Sequence, residues 1–215
     1  MERFRHPPGR IRSVRRAAVA YAERGWAVVP GAYGSGAARC GCARLGCRKA
    51  GLHPLFDQWD SAASTDVAVV ERWWARRAWE ILLPTGHGID FLEVPGPVGR
   101  ATADLLGERA GPIAVLPGHR WLLLCAADGC TVTTSEQESR AGVLLHTQGS
   151  WVPVPPNGGM RGRGTWSRPP WVVDWWLPGT TEVLAAARAA ATSAAERPGS
   201  LVAVPAIPAA SRFRR

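Results

Sequence analysis

The segment RCGCARLGCRKAGLHP, Arg39 to Pro54, constrains this chain more than any other: three of its five cysteines and one of its five histidines fall there. Cys40, Cys42 and Cys47 with His53 give the spacing C-x-C-x4-C-x5-H, which brings three thiolates and an imidazole within reach of one tetrahedral ion. Glycines at 41, 46 and 51 let the backbone turn and aim them. The spacing predicts a structural zinc site. Four protein ligands would close the coordination sphere, so the metal would hold a loop and not activate water. The competing reading is a set of incidental loop cysteines, since C-x-C is less diagnostic than a C-x2-C knuckle. Cys125 ends an apolar run and reads as a core thiol, while Cys130 stands apart.

The 26 Lys and Arg against 17 Asp and Glu leave a formal charge of +9, nearly all of it arginine, because Lys49 is the only lysine. Guanidinium forks match phosphate geometry, so this excess suits a polyanionic partner. Abundant Ala, Arg, Gly and Pro, which share GC-rich codons, offer a second origin for the same bias. The first apolar stretch, AAVAYA, is cut short by Glu23 and Arg24, too short for a signal core or a membrane span. A cytoplasmic setting with reduced thiols and no membrane partner is therefore expected.

Along the chain, IRSVRRAAVAYAERG reads as a helix stopped by Gly25, and WAVVPGA as a short buried strand. After the cysteine loop, ASTDVAVVERWWARR reads as a helix opened by Ser64 or Thr65. EILLPTG, GIDFLEVP, IAVLPG and RWLLLCA read as strands bounded by Gly and Pro, with PVGRATADLLGERAG a helix among them. AGVLLHTQGSWVPVPP reads as a hairpin or bulged strand, and TEVLAAARAAATSAAER as a closing helix. Strands and helices do not alternate regularly, so the class is α+β. Residues 1–16 form a basic lead, 17–196 the folded domain, and 197–215 a Pro-spaced tail expected to be disordered.

The order of AAVAYAERGWAVVPGAY, the cysteine loop ending GLHP, ASTDVAVVERWWARR and ILLPTG resembles the bifunctional DNA primase/polymerase (Prim-Pol) family of the archaeo-eukaryotic primase superfamily. GIDFLEVP, PGHRWLLL, GSWVPVPPN and WSRPPWVVDWWLP extend the resemblance from about Ala17 to about Pro178. It implies a primase/polymerase-like core with an RNA-recognition-like mixed sheet, here carrying a Cys/His-rich insert. Active members join nucleotides on a DNA template with two divalent ions, so DNA or nucleotides, Mg or Mn in an active protein, and a helicase partner follow as implications.

Two-metal chemistry needs carboxylates two apart on one strand face. The resemblance puts Glu93 in the first acidic place, but Pro95 occupies the second. Asp90, three residues away, faces the opposite side of an extended strand. The family's phosphate-holding histidine aligns with Trp121, leaving His119 two residues early, and its third acid aligns with Leu144 or Leu145, just before His146. The expectation is a primase-like fold with weakened or lost polymerisation and retained nucleic-acid or nucleotide binding.

Arg161 and Arg163 sit in a Gly-rich stretch, either a phosphate-binding loop or an ordinary solvated one. Trp73 and Trp74 read as core or half-core rather than a base-stacking platform, and Trp171, Trp175 and Trp176 as packing their Pro-flanked segment against the domain, with stacking on nucleotides the alternative. LPTGHG, with His87, is only a weak phosphate-turn signal. The alternative to the family reading is a zinc-stabilised protein-interaction module with no nucleic-acid role.

Overall fold

Helix α1, Pro8–Glu23, forms because Val14, Ala18, Tyr21 and Ala22 recur at helical spacing and bury one face. It ends where Gly25 takes φ +78°, a conformation glycine adopts without steric cost, and the Trp26 amide bonds the Tyr21 carbonyl at 3.0 Å. The computed structural model describes residues 8–33, 40–42, 44, 47, 52–129, 132–156 and 164–195. Arg161, Arg163, Cys130 and the 197–215 tail lie outside the described residues, and α1 runs across the boundary drawn at residue 17.

The strands form two sheets. One is four-stranded, in the order β2 (His53–Pro54), β1 (Val29–Ala32), β3 (Glu80–Pro84) and β8 (Trp151–Val154). The other is five-stranded, in the order β7 (Leu144–His146), β4 (Ile89–Pro95), β6 (Arg120–Ala126), β5 (Ile113–Leu116) and β9 (Thr165–Arg168). The α+β class stands, but the expected mixed sheet is corrected: every ladder between these strands is antiparallel. The chain visits the larger sheet as strand β4, helix α4 (Gly96–Leu106), strands β5 and β6, helix α5 (Glu136–Arg140) and strand β7. The α4 crossover returns β5 parallel to β4 but not beside it. Strand β6 fills the gap antiparallel to both.

That larger sheet is covered on both faces. Leu92, Val94, Leu123 and Cys125 pack against α4 and the last helix, α6 (Thr180–Ala195), through Val98, Leu106, Val183 and Leu184. Phe91, Leu122 and Leu124 point the other way, into a core shared with α1, β3, β8 and helix α3 (Val67–Trp73), which follows the short helix α2 (Trp59–Ala62). A strand buried on both faces has no polar side to show, hence the near-continuous apolar run in β6. Replacing fully buried Leu122 by alanine should cost about 2–5 kcal/mol. Gly99 lets α4 lie close to β6, since a Cβ there would come within 2.6 Å of the Trp121 side chain.

Three local expectations change. Helix α3 is capped by Asp66, whose carboxylate accepts from the Ala68 and Val69 amides, and not by Ser64 or Thr65. The stretch 141–156, read as a hairpin or bulged strand, is instead a sheet switch, because β7 pairs with β4 and β8 with β3. Thr85 fixes that switch by bonding both Thr147 and Ser150 across the turn. Trp175 packs on Tyr21 and Trp26, but Trp171 and Trp176 are exposed.

Candidate functional site

Two polar constellations carry chemistry. The first is built at the edge of the smaller sheet, where β2 pairs with β1 and places His53 opposite Ala32. The Gly41 amide bonds the Tyr33 carbonyl at 2.9 Å, and the tyrosine ring lies so close to Gly41 that a Cβ there would sit 2.6 Å from it. Gly41 is thus needed for close approach more than for a turn.

This folding brings together all four residues predicted as ligands. The thiol sulfurs of Cys40, Cys42 and Cys47 and a ring nitrogen of His53 lie within 4.8 Å of one another. His53 Nδ1 contacts the Pro54 carbonyl at 2.7 Å. A carbonyl only accepts, so Nδ1 carries the hydrogen and Nε2 presents its lone pair to the sulfurs of Cys40 at 3.2 Å and Cys47 at 3.5 Å. A tetrahedral ion with sulfur at about 2.3 Å and nitrogen at about 2.0 Å would separate its ligands by about 3.5–3.8 Å, so the group needs little rearrangement to hold one. Burial pushes the Cys42 thiol up to about 11, with the neighbouring thiols Cys40 and Cys47 adding to it against a backbone hydrogen bond at Arg44. Thiols crowded this way deprotonate when a cation arrives to share their charge. Arg44 ties the loop down through Asp57 at 2.9 Å and the Leu55 carbonyl at 2.8 Å.

The second constellation centres on Glu93. Strand alternation puts its side chain on the Phe91 face of β4, while Asp90 points to the other side, as the three-residue offset requires. Arg120, opposite Pro95 in the β4–β6 ladder, donates from Nε to Glu93 Oε1 at 2.8 Å and from Nη2 to the Gly142 carbonyl at 2.6 Å. His146, opposite Phe91 in the β4–β7 ladder, donates from Nε2 to Glu93 Oε2 at 2.9 Å, and its Nδ1 lies 3.2 Å from the Ser150 hydroxyl. Burial alone would raise the Glu93 carboxyl. The hydrogen bonds from His146 and Arg120, with the Arg120 charge, outweigh it and hold the group below its ordinary value.

Both carboxylate oxygens are therefore engaged from inside the protein. Leu144 stands directly across from Glu93, and Pro95 is the next residue on its face of the strand. His119 is exposed in the β5–β6 turn at φ +57° and makes no hydrogen bond to Glu93. Trp121 packs on Gly99, with the Arg100 guanidinium 5.7 Å from its ring centre. Asp90 accepts from the Gly86 amide at 3.2 Å, and burial, with Asp128 nearby, raises its carboxyl. In the LPTGHG turn, His87 pairs with Asp60 at 2.7 Å, and the Gly86 amide is taken up by Ile89 and Asp90. Burial pushes the Cys125 thiol up to about 12, as fits a core cysteine.

Sequence reasoning missed Arg120 as a partner. Its one signal was a charge at an inward position of a strand, on the face of Leu122 and Leu124, which calls for a buried countercharge.

No helix among the described residues is long and apolar enough to cross a membrane. Residues 18–189 match the family model described as bifunctional DNA primase/polymerase, N-terminal. Comparison with curated proteins and with solved structures finds no match.

Proposed function

The chain belongs to the bifunctional DNA primase/polymerase N-terminal family, and we propose that it is a member that binds nucleic acid or nucleotides while metal-dependent nucleotidyl transfer is weakened or lost. The closure of Glu93 by Arg120 and His146 carries this reading. A pair of divalent ions needs several carboxylates with free lone pairs converging on one point. The donors around Glu93 do not fit that group: its single carboxylate is neutralised by a guanidinium, and Pro95 and Leu144 stand where further acids would be needed. Mg or Mn therefore enters no step here.

The β4-α4-β5-β6-α5-β7 path and the β7-β4-β6-β5 order support an RNA-recognition-like arrangement, since a β-α-β-β-α-β unit produces that strand order. The arginine excess supports a polyanionic partner. For the Cys40, Cys42, Cys47 and His53 group we favour zinc, because three thiolates and an imidazole are the donor set it takes in closed structural sites. When bound it would cross-link the loop to β2 and perform no catalysis.

The test is a titration with a labelled primed single-stranded template in Mg or Mn, following binding and extension together. Salt-sensitive binding without extension is expected. Metal-dependent extension abolished by Glu93→Ala would overturn the reading. Absence of both signals would favour a zinc-stabilised interaction module instead.

A further inference from the structure

Two exposed features lie outside the Glu93 network. Helix α1 and its end carry five arginines against one acid, Glu23, between Pro8 and Gly25. Arg12 and Arg16 are exposed one turn apart, and among the described residues neither forms an ion pair with a carboxylate. Like charges at i, i+4 disfavour a helix, so this pairing gives the fold nothing. Arg24 follows about 12 Å beyond Arg16 along the axis.

The second feature is aromatic. Trp171, Val172 and Trp176 are 60%, 65% and 47% exposed, a concentration of solvent-facing large apolar side chains within six residues. Backbone geometry produces it. Asp174 and Trp175 both take left-handed conformations, φ 48° and 62°, which side-chain-bearing residues avoid. That bend turns Trp175 inward, edge-on to Trp26 at 5.1 Å, and leaves its neighbours facing solvent. The two features meet at Arg24, whose guanidinium lies 5.3 Å from the Trp175 ring centre. Asp174, the only acid in the segment 169–178, is 4.0 Å from Arg24.

We propose that Arg12, Arg16 and Arg24 with Trp171, Val172 and Trp176 form one binding surface for single-stranded nucleic acid. The guanidinium groups would take the phosphates and the two exposed indoles the bases, the combination by which strands are held without sequence preference. Guanidinium charge beside the patch favours a polyanion over an apolar protein partner. Exposed indoles favour unpaired bases over a duplex, where base faces are already stacked. This inference rests on the nucleic-acid reading above and assigns that binding to a surface apart from Glu93.

The experiment is fluorescence anisotropy of a labelled single-stranded oligonucleotide with wild type, Arg12→Ala/Arg16→Ala and Trp171→Ala/Trp176→Ala at several salt concentrations. All four side chains are exposed, and circular dichroism confirms folding of each variant. The arginine pair should lower the magnitude of the log–log salt slope by about 1.4. The tryptophan pair should weaken binding at least ~10-fold with the slope unchanged. Wild-type binding that both variants retain would overturn this surface and leave the nucleic-acid reading intact. Failure of the wild type to bind even at low salt would overturn both.

Discussion

The Glu93 network and the Cys/His cluster gather polar side chains in the two different sheets and leave them in opposite conditions. Around Glu93 every strong charge meets its counterpart: both carboxylate oxygens are bonded, and Arg120 also reaches the Gly142 carbonyl. Around His53 three thiol sulfurs and an imidazole lone pair converge within 4.8 Å of one another, a donor set that could hold a cation. A site that satisfies itself stabilises the fold and has little left to offer a ligand. A site whose donors converge on one point is legible as a candidate ligand site.

The sharpest way to break this contrast is Glu93→Gln. If Glu93 is a structural anion, removing its charge strands Arg120 in the interior and should cost about 3–5 kcal/mol. In a chain of this size that lowers the thermal midpoint by roughly 6–20 °C. The double variant Glu93→Leu/Arg120→Met should recover most of the loss, since a well-packed apolar pair replaces a buried ion pair at little net cost. Were Glu93 an open catalytic ligand, Glu93→Gln would leave the melting curve in place and remove an activity. A midpoint unchanged within a degree would end the closed-network account.

His146→Ala is the milder version. It removes one charge-assisted bond and the link to Ser150 while Arg120 still holds the carboxylate, so about 1.5–3 kcal/mol should be lost. Thermal melts should fall by roughly 3–12 °C. A loss equal to that of Glu93→Gln would mean that His146, and not Arg120, is the principal partner.

Metal removal probes the other side of the comparison. Neither apolar core cluster contains Cys40, Cys42, Cys47 or His53, so stripping the metal should open the loop and β2 locally. The purified protein should hold one zinc per chain by elemental analysis. Cys47→Ser should abolish it and expose residues 40–54 to proteolysis, while the global midpoint moves by about 3 °C or less. Collapse of the whole fold on chelation would show that the edge site supports the core after all.

The same contrast explains what the sequence could and could not disclose. The four metal donors fall within fourteen residues and are chemically unusual together, so spacing alone finds them. Arg120 and His146 reach Glu93 from 27 and 53 positions away, a distance at which no local pattern operates. The strands β3 to β6 were readable because apolar runs there end at Gly or Pro. The sheet switch at 147–150 was not, since a turn between two apolar strands looks alike whether its strands pair with each other or with separate neighbours. Strands β2 and β9 and helix α5 span two, four and five residues, too few for any periodicity to show. Trp171 and Trp176 were expected to pack, and only the left-handed bend at Asp174 and Trp175 separates the buried indole from the exposed ones.

Glu138 supplies the smallest test, an ion pair of a third kind at the surface. Arg188 Nε donates to its carboxylate at 2.6 Å, and the Ser135 amide donates to the other carboxylate oxygen at 2.6 Å, the latter bond completing a capping box on α5. The Arg188 hydrogen bond, followed by that from Ser135, lowers the Glu138 pKa to about 2 from an ordinary 4.5. A carboxyl depressed on folding stabilises the protein fully above its unfolded value and loses that contribution as the proton goes on in the folded state. The window is therefore about pH 4.5 down to about 2. Solvent around Arg188 screens the pair, so Glu138→Gln should cost about 1 kcal/mol or less at pH 7. The wild-type advantage should narrow steadily from pH 4.5 to pH 3 in parallel melts. A gap that stays constant through that range would assign the loss to the capping geometry alone and remove Arg188 from the account.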